Sequence, residues 1–176
     1  MVSKNLKIGI GVICALFLLF GCLGSGSENK QVKTAEAPAA QVAAQPATTA
    51  AVKETPDMEW LRTSRNWLLV IGQDMEDLSK AAYAGDLDSL YKNAKTTKGN
   101  IENAKLADSK LSPSGKYSGA HTEYLASLED LGNAMDLIIS CGDSGWADTT
   151  KITAATELMK KGNVHIINCS NEFKTA

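Results

Sequence analysis

The sequence predicts an all-α protein, folded as an antiparallel four-helix bundle that consists of two helical hairpins. After residue 55, apolar residues recur at alternating spacings of three and four in four segments, which places them on one face of an α-helix. Capping and turn residues separate the segments, and short connections favour antiparallel neighbours. The one strand-like run, residues 164–167, would have no partner strand.

The first helix is predicted to begin at Thr55-Pro56-Asp57, which supplies a capping hydroxyl, a proline at the first helical position and an acid in the first turn. Gly85 ends this helix and Asp86 caps the next one. Its face comprises Trp60, Leu61, Ser64, Trp67, Leu68, Ile71, Met75, Leu78 and Ala82.

The second helix has a weaker apolar stripe, that is, a weaker row of apolar residues along one helix face. It is expected to end before Ser112-Pro113-Ser114-Gly115, a segment that breaks helical structure. Gly99 lies inside it and lowers its stability by about 1 kcal/mol relative to alanine. The stripe comprises Leu87, Leu90, Ala94, Thr97, Ile101 and Ala104.

The third helix is predicted to end at Cys141-Gly142, because glycine commonly follows the last helical residue. The fourth begins near Asp148 or Thr149 and runs toward Phe173. The third stripe comprises Tyr117, Tyr124, Leu128, Leu131, Met135 and Ile138, and the fourth comprises Ile152, Ala155, Met159, Gly162, Ile166, Cys169 and Phe173. Lys-Gly-Asn occurs at both 98–100 and 161–163, which is compatible with duplication of one hairpin.

The first 22 residues have the order of a secretory signal. Lys4 and Lys7 precede the apolar run Ile8–Phe20, which is too short to span a membrane, and Leu19-Phe20-Gly21-Cys22 follows. These four residues resemble the lipobox of prokaryotic lipoproteins. The resemblance implies cleavage after Gly21 and a diacylglyceryl group on Cys22. The alternative is an uncleaved signal anchor.

The predicted organisation is therefore a signal peptide (1–21), a lipidated cysteine with a low-complexity tether (22–55) and a helical bundle domain (56–176). The tether is rich in Ala, Gln, Thr, Pro and Ser and contains no aromatic residue, so it cannot bury enough apolar area to fold. This layout is similar to that of many surface lipoproteins of bacteria and archaea. It implies a lipid-anchored protein on the extracytoplasmic face of the cell membrane.

The charge of the chain gives no reason to expect nucleic acid as a partner. The full sequence has a net charge of −2, which becomes −4 after removal of Lys4 and Lys7 with the signal. Nucleic-acid binding requires a basic stripe. The expected partners are the membrane, through the lipid on Cys22, and an envelope protein. The expected function is a non-enzymatic binding or scaffolding module.

The sequence contains no motif of an enzyme or of a cofactor site, so neither a catalytic activity nor a cofactor is expected. The alternative function is metal binding or delivery. If the third and fourth helices are antiparallel neighbours, His121 and His165 lie at similar heights along the bundle axis. His165 and Cys169 are four residues apart and share a helix face. With Glu123 or Glu172 nearby, these three residues are candidate ligands of copper or zinc.

Cys141 and Cys169 would remain in the mature chain, and an oxidising location favours a disulfide between them. A straight fourth helix instead separates them by about 30 Å, far beyond disulfide reach. Because the stripe continues in register to Phe173, we predict two unpaired thiols. The loop Asp143–Asp148 lacks the acid spacing of a calcium loop. Trp146 in this loop is expected to fold back onto the bundle, and the alternative is that it stays exposed for a partner.

Overall fold

The architecture was established from a computed structural model that describes residues 55–175. Within this range the chain forms four α-helices and no strand, which confirms the predicted fold class. The helices are α1 (Pro56–Ala84), α2 (Leu87–Asp108), α3 (Ser118–Asp143) and α4 (Thr149–Thr175), and a 3₁₀ turn, Gly115–Tyr117, precedes α3. The predicted signal peptide, Cys22 and the tether before Thr55 lie outside the described residues.

Local sequence signals set the ends of α1 and the start of α2 as predicted. The Thr55 side chain accepts a hydrogen bond from the Met58 amide at 3.3 Å, and Pro56 occupies the first helical position. Gly85 ends α1 in the left-handed conformation, with φ of 69°. Asp86 then accepts a hydrogen bond from the Ser89 amide and caps α2.

The predicted end of the third helix at Gly142 is wrong. Helix α3 continues to Asp143, and the left-handed residues are Gly145 and Trp146, with φ of 66° and 64°. Gly142 lies against the ring of Tyr91, and a Cβ atom there would collide with that ring. The glycine therefore permits a close approach between helices, which local sequence signals do not reveal.

Contacts between α1 and α2 show that these two helices run antiparallel. Asn93 donates to the Asp77 carbonyl at 3.1 Å, and Asn100 donates to the Asp74 carboxylate at 2.7 Å, so later residues of α2 meet earlier residues of α1. Helix α3 packs on α2 and, most extensively, on α4. None of the helices within residues 55–175 combines the length and the apolar character needed to cross a membrane.

The core follows the predicted stripes. Ser64 is buried at the step where the apolar pattern of α1 is interrupted, and its hydroxyl donates to the Leu61 carbonyl. Burying one large apolar side chain stabilises the fold by about 1.5–3 kcal/mol. The largest fully buried side chains are Trp60, Ile71, Met75, Leu78, Leu90, Ile101, Tyr124, Leu128, Leu131, Met135 and Ile138.

Candidate functional site

A buried carboxylate, Asp108, joins three helices at the end of the bundle where α1 begins. Its Oδ1 atom accepts a hydrogen bond from Trp60 Nε1 at 2.9 Å, and its Oδ2 atom lies 2.8 Å from His121 Nε2. Asp108 is 6% exposed and Trp60 is fully buried. A carboxylate at this depth requires such partners, because an unpaired buried charge is very costly.

Trp60 is also the centre of an aromatic cluster that draws side chains from α1, the 3₁₀ turn, α3 and α4. Its ring meets His121 and Phe173 edge to face, with centroids 5.5 Å apart in both pairs. Tyr117 and Tyr124 complete the cluster at 5.9 and 6.4 Å. Edge-to-face pairs stabilise a core beyond their buried area. Trp60 thus ties α1 to the second hairpin.

Tyr124 is unusual because its hydroxyl is buried without a hydrogen-bond partner in the described part of the chain. Burial raises the pKa of this phenol strongly, and the nearby charge of Asp108 adds to the effect. The side chain is 1% exposed. The hydroxyl therefore stays neutral, and it bears a desolvation cost that a phenylalanine would avoid.

The second histidine, His165 on α4, pairs with a different carboxylate. Its Nδ1 atom lies 2.7 Å from Glu123 Oε2 on α3, and Asn168 donates to the same oxygen at 3.2 Å. The hydrogen bond from His165 lowers the pKa of the Glu123 carboxyl, and the bond from Asn168 reinforces this shift. On its other side, His165 Nε2 lies 3.7 Å from Asp130 Oδ2.

Both cysteines of the described chain are free and buried, which confirms the prediction of unpaired thiols. Burial raises the pKa of Cys169 to about 12, and it also raises that of Cys141. Cys141 Sγ donates to the Asp148 carbonyl at 3.2 Å. A thiol reacts as the thiolate, so both side chains behave as inert core residues.

The three predicted metal ligands do not form a metal site in this structure. His121 and His165 each contact a carboxylate of a neighbouring helix, and Cys169 is fully buried. Within residues 55–175, no group of three or more His, Cys, Asp or Glu side chains has an arrangement that could hold a metal ion. Metal binding by His121, His165 and Cys169 stays a prediction that would require these side chains to rearrange.

The α3–α4 loop behaves as expected. Trp146 is half-buried and packs against the core, and its ring would lie 3.4 Å from a Cβ atom at Gly142. Asp148 accepts hydrogen bonds from the backbone and hydroxyl of Thr150, so it acts as a turn residue at the start of α4. Asp143 accepts a hydrogen bond from Tyr91 at 2.5 Å, which ties the end of α3 to α2.

Asp108 is the site residue that the sequence analysis missed, although a signal for it existed. The stripe of α2 passes through Thr97, Ile101 and Ala104, and the next step of four residues reaches Asp108. A pattern of apolar residues does not include Asp108, because aspartate is charged. A charged residue in register with a buried stripe is a sign of a paired carboxylate in the core.

Comparison of the chain with protein-family models, with curated proteins and with solved structures finds no match in any of the three.

Proposed function

We propose that this protein is a lipoprotein anchored by lipid on Cys22 to the extracytoplasmic face of the cell membrane, and that its helical bundle is a non-enzymatic binding or scaffolding module. The observation that carries the proposal is the order of features in the first 22 residues: Lys4 and Lys7, the apolar run, then Gly21-Cys22. Two acyl chains on one cysteine provide stable anchoring, where a single chain is marginal.

The chemistry of the bundle is consistent with a scaffold. Its buried carboxylate, Asp108, holds Trp60 and His121 in place, and His165 holds α4 to α3 through Glu123. Both thiols are buried. The two histidines and the carboxylates that they contact, which are residue types that enzymes use for acid–base steps, therefore connect helices here. Such a bundle presents fixed helix surfaces to a partner.

The test is to express the full chain in a prokaryote that processes lipoproteins and to follow membrane attachment. We expect mass spectrometry of the extracted protein to show Cys22 as the first residue, with the added mass of the lipid. Cys22→Ser should lose the lipid and leave the detergent phase. Cys14→Ser removes a cysteine from the apolar run without changing Gly21-Cys22, so this control should partition like the unchanged chain.

A Cys22→Ser protein that stays in the membrane with unchanged detergent partition would refute the lipid anchor. The scaffolding role is tested separately by crosslinking on intact cells. A specific envelope protein captured by the unchanged chain, and lost when the bundle is deleted but the lipid anchor kept, would identify the partner.

A further inference from the structure

Helices α1 and α4 border one outer face of the bundle, which we call the α1–α4 face. The two helices meet at the end where the rings of Trp60 and Phe173 are in contact. Helix α2 runs opposite to α1, and late residues of α2 and of α4 both meet early residues of α3. Helices α1 and α4 are therefore antiparallel. Residue 69, nine after Trp60, is level with residue 164, nine before Phe173.

Three large apolar side chains are exposed on this face, Leu69 of α1 and Val164 and Ile167 of α4. Leu69 lies five residues before Asp74, which meets α2, so it points about 140° away from α2 around the helix. Ile167 lies two residues after His165, which meets α3, so it points about 160° away from α3. Apolar residues that share a face and have a polar rim mark an interaction site.

Basic side chains border these apolar residues. Arg65 lies one turn before Leu69 and nine residues before Asp74, so it points directly away from α2. Lys174 lies two turns after Ile167 on the same side of α4. Both basic side chains are exposed. The half of the α1–α4 face next to the start of α1 therefore carries cations around an apolar centre.

The acidic residues near this half of the face are directed elsewhere. Asp57 accepts hydrogen bonds from the loop before α3, and Glu172 lies against α3 itself. Glu59 is six residues before Arg65 and points about 120° away from it around α1. These carboxylates leave the positive charge on the face uncancelled.

The excess of positive charge is local. In the other half of the face, Lys80 pairs with Glu76 and Lys160 pairs with Glu157. The bundle as a whole is acidic, since residues 56–176 include 17 Asp and Glu against 13 Lys and Arg. An acidic body with one basic, apolar face is oriented by a negatively charged surface, because the rest of the body is repelled from it.

We propose that the α1–α4 face docks on the surface of an anionic lipid bilayer, with Leu69, Val164 and Ile167 at the headgroup boundary and Arg65 and Lys174 on lipid phosphates. Apolar residues flanked by Lys and Arg are the chemistry of helices that lie in a membrane interface. The docking rests on the proposed lipid anchor at Cys22. The anchored chain enters the bundle at the start of α1, beside the basic half of the face, so docking is an intramolecular step and a small patch suffices.

The experiment places the purified, lipidated chain in vesicles of phosphatidylglycerol and phosphatidylcholine in equal parts. Leu69→Cys supplies a labelling site on the face, and Leu106→Cys supplies a matched site on α2, because the two leucines are 62% and 58% exposed. Cys141 and Cys169 are buried and do not compete for the label. A nitrobenzoxadiazole label at residue 69 should emit further to the blue and be quenched by nitroxide lipids, and a label at residue 106 should do neither.

The outcomes separate the docking from the anchor. Protein that does not float with the vesicles would refute the lipid anchor, and with it the docking that depends on it. Protein that floats but shows the same quenching at residues 69 and 106 would leave the anchor intact and overturn the docking. A blue shift at residue 69 without quenching by nitroxide lipids would assign the face to a second copy or another protein, and would overturn the docking as well.

Arg65→Gln and Lys174→Gln test the role of charge. Each removes one positive charge near the anionic surface, so each should lower the ratio of docked to undocked chains about fivefold, measured as quenching of the label at residue 69. Lys92→Gln changes an exposed lysine of α2 and should keep the full ratio. Vesicles of phosphatidylcholine alone should quench the label weakly. Equal quenching in all three variants and in both kinds of vesicle would contradict recognition of anionic lipid.

Discussion

At the scale of single residues, the two polar groups at the aromatic cluster differ in their hydrogen bonding. Asp108 has a donor on each carboxylate oxygen, from Trp60 and from His121. The Tyr124 hydroxyl, in the same cluster, has no hydrogen-bond partner among residues 55–175. The sequence places both residues in register with buried stripes. It does not indicate which of them is satisfied, because the partner Trp60 is 48 residues away from Asp108 in the chain.

This contrast leads to a prediction for Tyr124→Phe. Removing the hydroxyl keeps the ring and its contact with Trp60 but eliminates an unsatisfied buried group, so the free energy of unfolding should stay the same or increase slightly. Asp108→Ala is the matched comparison, since it leaves the Trp60 N–H unpaired and should lower the stability by about 1–3 kcal/mol. Chemical denaturation measures both. A loss of more than about 1 kcal/mol in Tyr124→Phe would mean that the hydroxyl does make a hydrogen bond.

At the scale of helices, ends that depend on local chemistry were predicted and ends that depend on distant contacts were not. Thr55, Gly85 and Asp86 act through hydrogen bonds or dihedral angles within a few residues, and their roles are as predicted. Gly142 carries the same local signal as Gly85 but lies inside α3, where the ring of Tyr91 from α2 packs against it. A glycine near a predicted helix end can therefore either end the helix or permit close packing by another helix, and the sequence does not distinguish the two.

The two glycines of the repeated Lys-Gly-Asn segment also differ in their distant contacts, and this difference leads to a second prediction. A Cβ atom at Gly99 on α2 would meet nothing within 4 Å, whereas one at Gly162 on α4 would lie 2.9 Å from Leu131 Cγ and 3.4 Å from the Ser127 carbonyl oxygen. Gly99→Ala should therefore stabilise the protein by about 0.5–1 kcal/mol, since alanine favours the helix. Gly162→Ala should destabilise it by about 1–3 kcal/mol through overpacking.

Thermal or urea unfolding of the two variants, side by side, provides the measurement. The substitution is the same and both sites are helix interiors, so the difference between them isolates the packing of α4 on α3. Equal stabilisation by both alanines would show that α4 can move away from Leu131 at no cost.

At the scale of the whole molecule, the apolar periodicity of the sequence predicts the helical bundle but not the partners of the two histidines. Antiparallel helices place His121 and His165 at similar heights, as the sequence analysis assumed. His121 and Glu123 are two residues apart on α3, however, and therefore point about 200° from each other around the helix. His121 meets Asp108 of α2, while Glu123 meets His165 of α4. Height along a bundle does not determine which side of a helix a residue occupies.

Several carboxylates are held ionised at the junctions between helices, and together they determine the response to acid. Hydrogen bonds from the backbone amide of Ser114 to Asp57 and of Ser89 to Asp86, and from the side chain of Thr150 to Asp148, lower the pKa of each carboxyl. A carboxyl with a lowered pKa stabilises the folded state at pH values above its pKa in the unfolded chain, which is about 4. This stabilisation is lost as the pH falls through the pKa of the same carboxyl in the folded state. The bundle should therefore lose stability progressively below about pH 4.

The variant Asp86→Asn tests the source of this acid sensitivity. Asparagine caps a helix about as well as aspartate, so the free energy of unfolding at pH 7 should change little. Because the amide does not titrate, the variant should lose less stability than the unchanged chain when the pH falls from 7 to 3. Urea unfolding at both pH values gives the four free energies, and Glu129→Gln serves as a control for the loss of one exposed negative charge. If Asp86→Asn and the unchanged chain lose the same stability, the ionised form of Asp86 contributes nothing to the cap of α2, and acid must act on the bundle elsewhere.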